Sequence, residues 1–386
     1  MKNIYLKRFK PHIFIVICCI ISLFGCRDDD PVLQPTKTVV TTENQEESIQ
    51  GFYLLNQGNM GSNKATLDYF DYTTGIYTKN IYAATNPNVV SELGDVGNDL
   101  AIYGNKLYAV INCSNFVEVM DAKTAKHIGS IEIPNCRYIT FYNGKAYVSS
   151  YAGPVQVGSN NDQIGYVAEI DTATLQITRT VTVGYQPEEI AVVNKKLYVA
   201  NSGGYRVPNY DSTISVIDLS TFTEIKKIDV AINLHRLKAD KYGDLYVTSR
   251  GDYYDVPSNL YVIDTENDCI KKNLNIAASN IAIAGDSAYI YSTAWSSISN
   301  KNVVSFGIIN VKTEEIITRN FISDGTDAEI EVPYGIAVNP ITKEIFVTDA
   351  KSYVIPGTLF CFNSNGTLKW SVTTGDVPAQ FAFLWK

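Results

Sequence analysis

The chain predicts an all-β fold, a seven-bladed β-propeller of four-stranded antiparallel blades, on three observations. First, an apolar-aromatic strand core recurs seven times, marked by Tyr53, Tyr108, Tyr147, Tyr198, Tyr246, Tyr289 and Phe346. Second, each marker is followed by another strand ending in Asp or Asn, at Asp71, Asp121, Asp171, Asp218, Asp264, Asn310 and Asn363. The resulting units of about 40 to 57 residues have the length of a propeller blade. Third, Val377 to Leu384 reads as an inner strand at the wrong end of the chain, where it can complete blade one and close the ring.

Taken in order, residues 1–25 carry Lys2, Lys7, Arg8 and Lys10 ahead of an apolar run from Ile13 to Phe24. That run is too short to span a bilayer and reads as a signal peptide. Leu23-Phe24-Gly25-Cys26 resembles a bacterial lipobox, which implies lipidation of Cys26. Residues 26–50 are polar and read as a flexible tether. Their Arg27-Asp28-Asp29-Asp30 start resembles the surface-export signal of outer-membrane lipoproteins and implies display on the cell surface. Loss of residues 1–25, with four cations and no anion, takes the formal net charge from −8 to −12. So acidic a globule repels phosphate backbones, which argues against nucleic acid as a partner.

Residues 51–386 are the propeller. With strands lettered A to D from the axis outward, blade four reads as Ile190–Val193, Lys196–Ala200, Thr213–Asp218 and Glu224–Val230. Val, Ile and Tyr enrichment between Asn, Gly and Asp punctuation favours strands. Pairs such as Gly104-Asn105 and Asn143-Gly144 suit tight A-to-B turns. The B-to-C loops vary in length, and two D-to-A links carry insertions, at Ala83–Gly97 and Ser323–Glu331. Both kinds of connection emerge on one face, which marks it as the candidate binding face.

On that face the residue two before each inner-strand apolar position falls at the channel mouth. These are Asn98, Arg137, Glu188, His235 or Arg236, Ser279, Tyr334 and Ala379. Six of the seven positions are polar or ionisable, as for a ring of hydrogen-bonding groups, although strand starts at a wet rim are also polar for solvation alone. The surrounding loops supply Tyr151, Tyr185, Tyr205, Tyr254 and Trp295, amphipathic rings suited to gripping a ligand.

There is no GxSxG or HExxH motif, and no CxxC spacing. Glu188 and Glu189 are adjacent, and alternation along a strand sends their carboxylates to different sides. Asp162, Asp252 and Asp255 lie in long loops without calcium-loop spacing. Cys113 and Cys136 fall on one rim, which leaves a disulfide open. These features predict a non-enzyme with no cofactor and no bound metal.

Over residues 51–386 the repeats, with KKLYVAN and ISVIDLST at 195–221, resemble the YncE-like seven-bladed propellers. More narrowly, NQGNMG at 56–61, NCSNFVEVMD at 112–121, IPNCRYI at 133–139 and GYQPEEIAV at 184–192 resemble the BtuG-like surface lipoproteins of gut anaerobes. In that pattern Gln57 stands where Glu is usual, and Cys136 where Pro precedes the Arg. The resemblance implies capture of a corrinoid such as cobalamin and its delivery to a TonB-dependent outer-membrane transporter. Two other functions fit the residues: a lactonase- or lyase-like propeller enzyme with an axial metal, and a protein or glycan adhesion module.

Overall fold

A computed structural model of the chain describes residues 35–43, 48–87, 89, 93–158, 163–296 and 301–386, with backbone alone at 295–296 and 301–302. The signal peptide, Cys26, Asp162 and the side chain of Trp295 lie outside the described residues. No helix among the described residues is long and apolar enough to cross a membrane.

Seven antiparallel sheets form the ring. Blade four consists of Pro187–Val193, Lys196–Asn201, Thr213–Asp218 and Thr223–Asp229, within three residues of its sequence-predicted bounds. The inner strand of blade one is the C-terminal Pro378–Trp385, which pairs with Ile49–Asn56 through Phe52↔Phe383 and Leu54↔Phe381. Closure therefore joins the first and last strands of the ring in one sheet and leaves blade one without an open inner edge.

The recurring phrase of the sequence acts between blades as well as within them. In five blades the terminal Asp or Asn of strand C closes the C-to-D turn by accepting two backbone N–H groups, as Asp218 does from Ser220 and Thr221 and Asn310 from Lys312 and Thr313. The aromatic marker of the preceding blade is buried, and in three blades its hydroxyl reaches that same turn. Tyr53 Oη donates to Ala122 O at 2.8 Å, Tyr198 Oη to Asp268 Oδ1 at 2.6 Å and Tyr246 Oη to Val311 O at 3.2 Å. A tyrosine can cross the blade seam because its ring packs in the core while its hydroxyl finds a partner beyond.

Two expectations need correction, and one open question is answered. Residues 35–43 are not an unpaired tether, because Lys37–Val39 adds a fifth strand outside Ile76–Thr78. β-branched Thr38 and Val39 suit the added strand, and it covers an outer edge. Glu43 then pairs with Lys369 of blade seven at 2.8 Å.

The two D-to-A insertions lie largely along the blade flanks and are not confined to the binding face. One forms the helix Ile81–Thr85 and packs on the outer strands of blade two, where Tyr82 Oη donates to Glu118 Oε1 and Asn86 Nδ2 to Ala125 O. The other holds the 3₁₀ turn Thr326–Glu329 and bonds the far turn of blade seven, through Ser323 N to Gly366 O and Leu368 N to Asp324 Oδ2. Each insertion carries apolar groups, Tyr82 and Ile330 among them, that are buried along the blade flanks. The end of the first insertion stays on the binding face, where Asp95 accepts Gly61 N and Asn63 N from the B-to-C loop of blade one and donates its own N–H to Ser114 Oγ in that of blade two.

Finally, the described cysteines, Cys113, Cys136, Cys269 and Cys361, are free thiols. Cys136 is buried against Ile111 O and Phe116 O, and burial pushes its pKa up to about 12.

Candidate functional site: the channel mouth

The inner strands start irregularly, and that irregularity shapes the mouth. Pairing between A and B shifts register at Gly97/Asp99, Pro187/Ile190, Leu234/Leu237 and Pro333/Ile336, with a matching shift opposite Val148/Ser150. A bulge interrupts strict alternation, so in these blades two successive residues enter the rim network. Strand-B hydroxyls lock the bulges. Ser149 Oγ accepts Tyr138 N and donates to Glu188 O, and Thr348 Oγ1 accepts Gly335 N and donates to Pro378 O.

Glu188 is the hub. Its Oε2 accepts from Arg137 Nη2 at 2.9 Å and Nε at 3.2 Å, and its Oε1 from Tyr151 Oη at 2.7 Å and Arg250 Nη1 at 3.1 Å. Burial alone would raise its pKa, but the two guanidiniums and the Tyr151 hydroxyl outweigh that and hold it at about 2. Arg137 also lies 4.8 Å from the Tyr151 ring centre. Glu189 serves separate partners, Leu237 N at 2.8 Å and Lys238 Nζ at 2.5 Å, so the adjacent carboxylates do not converge.

His235 and Arg236 both belong to the mouth. The Tyr138 hydroxyl and His235 Nε2 lie 3.0 Å apart, and the Arg236 guanidinium sits 5.3 Å from the Tyr138 ring centre. Burial, then Arg250, Arg236, Arg137 and Lys238, drive the His235 pKa well below its ordinary value and keep the imidazole neutral.

Tyr334 donates to Gln57 Oε1 across the closing seam, and its ring meets that of Tyr353 edge-on at 5.9 Å. Asn98 is largely structural, since its Nδ2 donates to Arg137 O while Gln380 Nε2 donates to Asn98 O at 3.2 Å. Ser279 Oγ accepts Thr293 N within its own blade, and Ala379 is a buried part of the closing strand. Of the loop tyrosines, Tyr151 is buried in the hub and Tyr205 meets its ring edge-on. Tyr185 lies under the Arg206 guanidinium at 3.7 Å, and Tyr254 is 89% exposed. Asp252 Oδ1 closes its own loop by accepting Tyr254 N and Val256 N.

Sequence reasoning missed Arg250 and Tyr138. The residue just after strand B was the available signal: Gln57, Asn112, Tyr151 and Arg250 hold that place in four blades, and each bonds a neighbour at the mouth. Tyr138 comes one residue later in the inner strand than the ring that was read. That second ring links neighbouring blades: Asp99 Oδ2 accepts Ile139 N, Glu189 Oε2 accepts Leu237 N, and Asn280 Nδ2 donates to Tyr334 O.

Below the mouth, a cavity of about 310 Å³ runs along the inner strands of blades two to five, lined in part by Asp99, Thr140, Glu189 and Lys238. Burial and the nearby Glu189 raise Asp99 to about 6. No group of three or more metal-ligating side chains occurs among the described residues.

Several solved structures share the fold. They include a candidate 6-phosphogluconolactonase from Bacteroides fragilis (TM-score 0.61, 11% identity, 89% of this chain and 100% of that one). Kuenenia stuttgartiensis hydrazine synthase matches with TM-score 0.58 and 15% identity over 74% of this chain and 88% of that one. A quinonprotein alcohol dehydrogenase-like protein from Bacteroides thetaiotaomicron matches with TM-score 0.57 and 14% identity over 87% and 78%. At such identities the likeness is one of fold alone. No curated protein matches the sequence. The profile of the Domain of unknown function (DUF5074) family matches residues 50–381, nearly the whole described ring, and the chain belongs to that family.

Proposed function

We propose that this propeller is a non-enzymatic, lipid-anchored surface protein that captures a corrinoid at the channel mouth and passes it to a TonB-dependent outer-membrane transporter. The observation that carries the reading is the chemistry of the mouth: Arg137, Arg236, Arg250, Tyr138, Tyr151 and Tyr334 gather on one side of an otherwise acidic chain. A broad macrocycle edged with amides and carrying a phosphodiester offers acceptors to guanidinium and phenol donors, and an apolar face to aromatic rings. Exposed Met60, Val157, Tyr254 and Val354 lie on the B-to-C loops of four blades, a setting suited to a larger partner.

Binding fits this centre better than catalysis. Glu188, held ionised by two arginines, is disfavoured as a proton donor near neutral pH, and Glu189 is engaged by Lys238. Calorimetric titration with cyanocobalamin tests the reading. Saturable binding with a stoichiometry near one supports it, and no heat at tens of micromolar protein removes the corrinoid.

A further inference from the structure

We propose that Arg236 anchors an oxyanion subsite in the channel mouth, one that takes a phosphate ester or a carboxylate carried by the ligand. This rests on the mouth being a binding site, and not on the ligand being a corrinoid.

The argument starts from an imbalance. Arg236 is 6% exposed, and its Nε, screened from solvent, has no hydrogen-bond partner among the described residues. Its neighbours in the second ring are satisfied: Glu189 by Leu237 N and Lys238, Asp99 by Leu100 N and Ile139 N. Glu188, the other carboxylate at the rim, answers two guanidiniums at once. The close ion pairs thus engage Arg137, Arg250 and Lys238 and leave Arg236 without one. A buried guanidinium with no close ion pair and an orphan N–H leaves donors unanswered, and a native protein rarely keeps such a group without a use for it.

The position favours a ligand over an accident of packing. Arg236 acts electrostatically on phenols and carboxylates from several blades, namely Tyr138, Glu189, Tyr291 and Asp99, which places it toward the axis. Tyr334 of blade seven also falls within its influence. His235 beside it is kept neutral first by burial and then by this cluster of cations. A guanidinium is a planar fork of donors that matches a carboxylate or phosphate two-pronged, whereas a neutral amide would leave its charge unanswered.

The experiment is titration of the purified protein with inorganic phosphate, methyl phosphate and acetate, against chloride at matched ionic strength. Saturable binding of at least one oxyanion in the millimolar range is expected. It should weaken at least tenfold in Arg236→Met, less in Arg236→Lys, and not at all in Lys123→Ala on the opposite face. The anion bound most tightly distinguishes a phosphate ester from a carboxylate as the natural group.

Because Arg236 makes no close ion pair, Arg236→Met should melt close to the native protein. Binding no better than chloride, an affinity indifferent to Arg236, or a clear fall in melting temperature in Arg236→Met would each overturn the proposal. A parallel cyanocobalamin titration separates the two readings. Oxyanion binding without corrinoid binding removes only the corrinoid, and corrinoid binding indifferent to Arg236 removes only the subsite.

Discussion

Arg250 follows strand B of blade five directly and reaches back to Glu188 on the inner strand of blade four, with Nη1 and Oε1 3.1 Å apart. Arg137 approaches the same carboxylate from blade three. One buried carboxylate therefore ties three consecutive blades together at the rim, and a charge so placed is costly to remove from one side only.

Glu188→Gln should accordingly destabilise the protein by about 3 kcal/mol, since it leaves two half-buried guanidiniums without their anion. The loss would be read as a lower urea midpoint with an unchanged slope. Arg137→Ala should also lower stability, so it is a poor variant for isolating ligand contacts. An undisturbed midpoint in both variants would contradict the hub.

Glu188 also sets an acid limit. Its pKa falls from an ordinary 4.5 to about 2 on folding, so the unfolded chain binds more protons in that interval. Its stabilisation is complete above pH 4.5 and is lost as the pH falls toward 2. Urea midpoints of the native protein should decline through this window more steeply than those of Glu188→Gln.

His235 acts at higher pH. Its folded pKa lies well below 6.5, so the unfolded state gains a proton first as the medium is acidified below that value. Stability should therefore fall as the pH drops from 7 to 5, and His235→Gln should flatten that part of the profile. An unchanged slope would mean that His235 is charged in the fold.

Ring closure rests on aromatic packing as well as on strand pairing. Phe52 touches Phe70, Tyr72, Phe346, Phe381 and Phe383, drawing together blade one, blade seven and the closing strand. Phe52→Ala should cost about 3 to 5 kcal/mol. Deleting residues 377–386 should abolish cooperative unfolding, whereas a truncated protein that melts like the native one would refute this closure.

Ligand contact is best tested where the fold is indifferent. Tyr254 is almost fully exposed, and Tyr353 meets Tyr334 at the rim. Tyr254→Ala and Tyr353→Ala should leave the melting temperature within a degree or two and weaken cyanocobalamin binding several-fold, about 1 kcal/mol each. Calorimetry and thermal melts on the same samples decide this.

By itself the sequence determined the blade count, the strand order and the C-terminal closure. These depend on short-range chemistry: alternating apolar residues, turn formers, and a repeated aromatic and Asp pair whose spacing survives loop variation. It also brought Arg137, Glu188, His235, Arg236 and Tyr334 to one rim, because equivalent places in a repeat occupy equivalent places in space.

The tertiary structure alone decided what those residues do. Glu188 meets Arg250 because the blades curve round an axis, a contact across 62 positions that no local pattern encodes. The inner-strand bulges admit Tyr138 and Arg236 beside their neighbours, which strict alternation would forbid. The strand at Lys37–Val39 and the flank-packed insertions follow from edges and apolar surfaces that exist only once the ring has formed. Local pattern specifies a strand, but the charge balance of a channel mouth depends on which side chains the closed ring leaves facing one another.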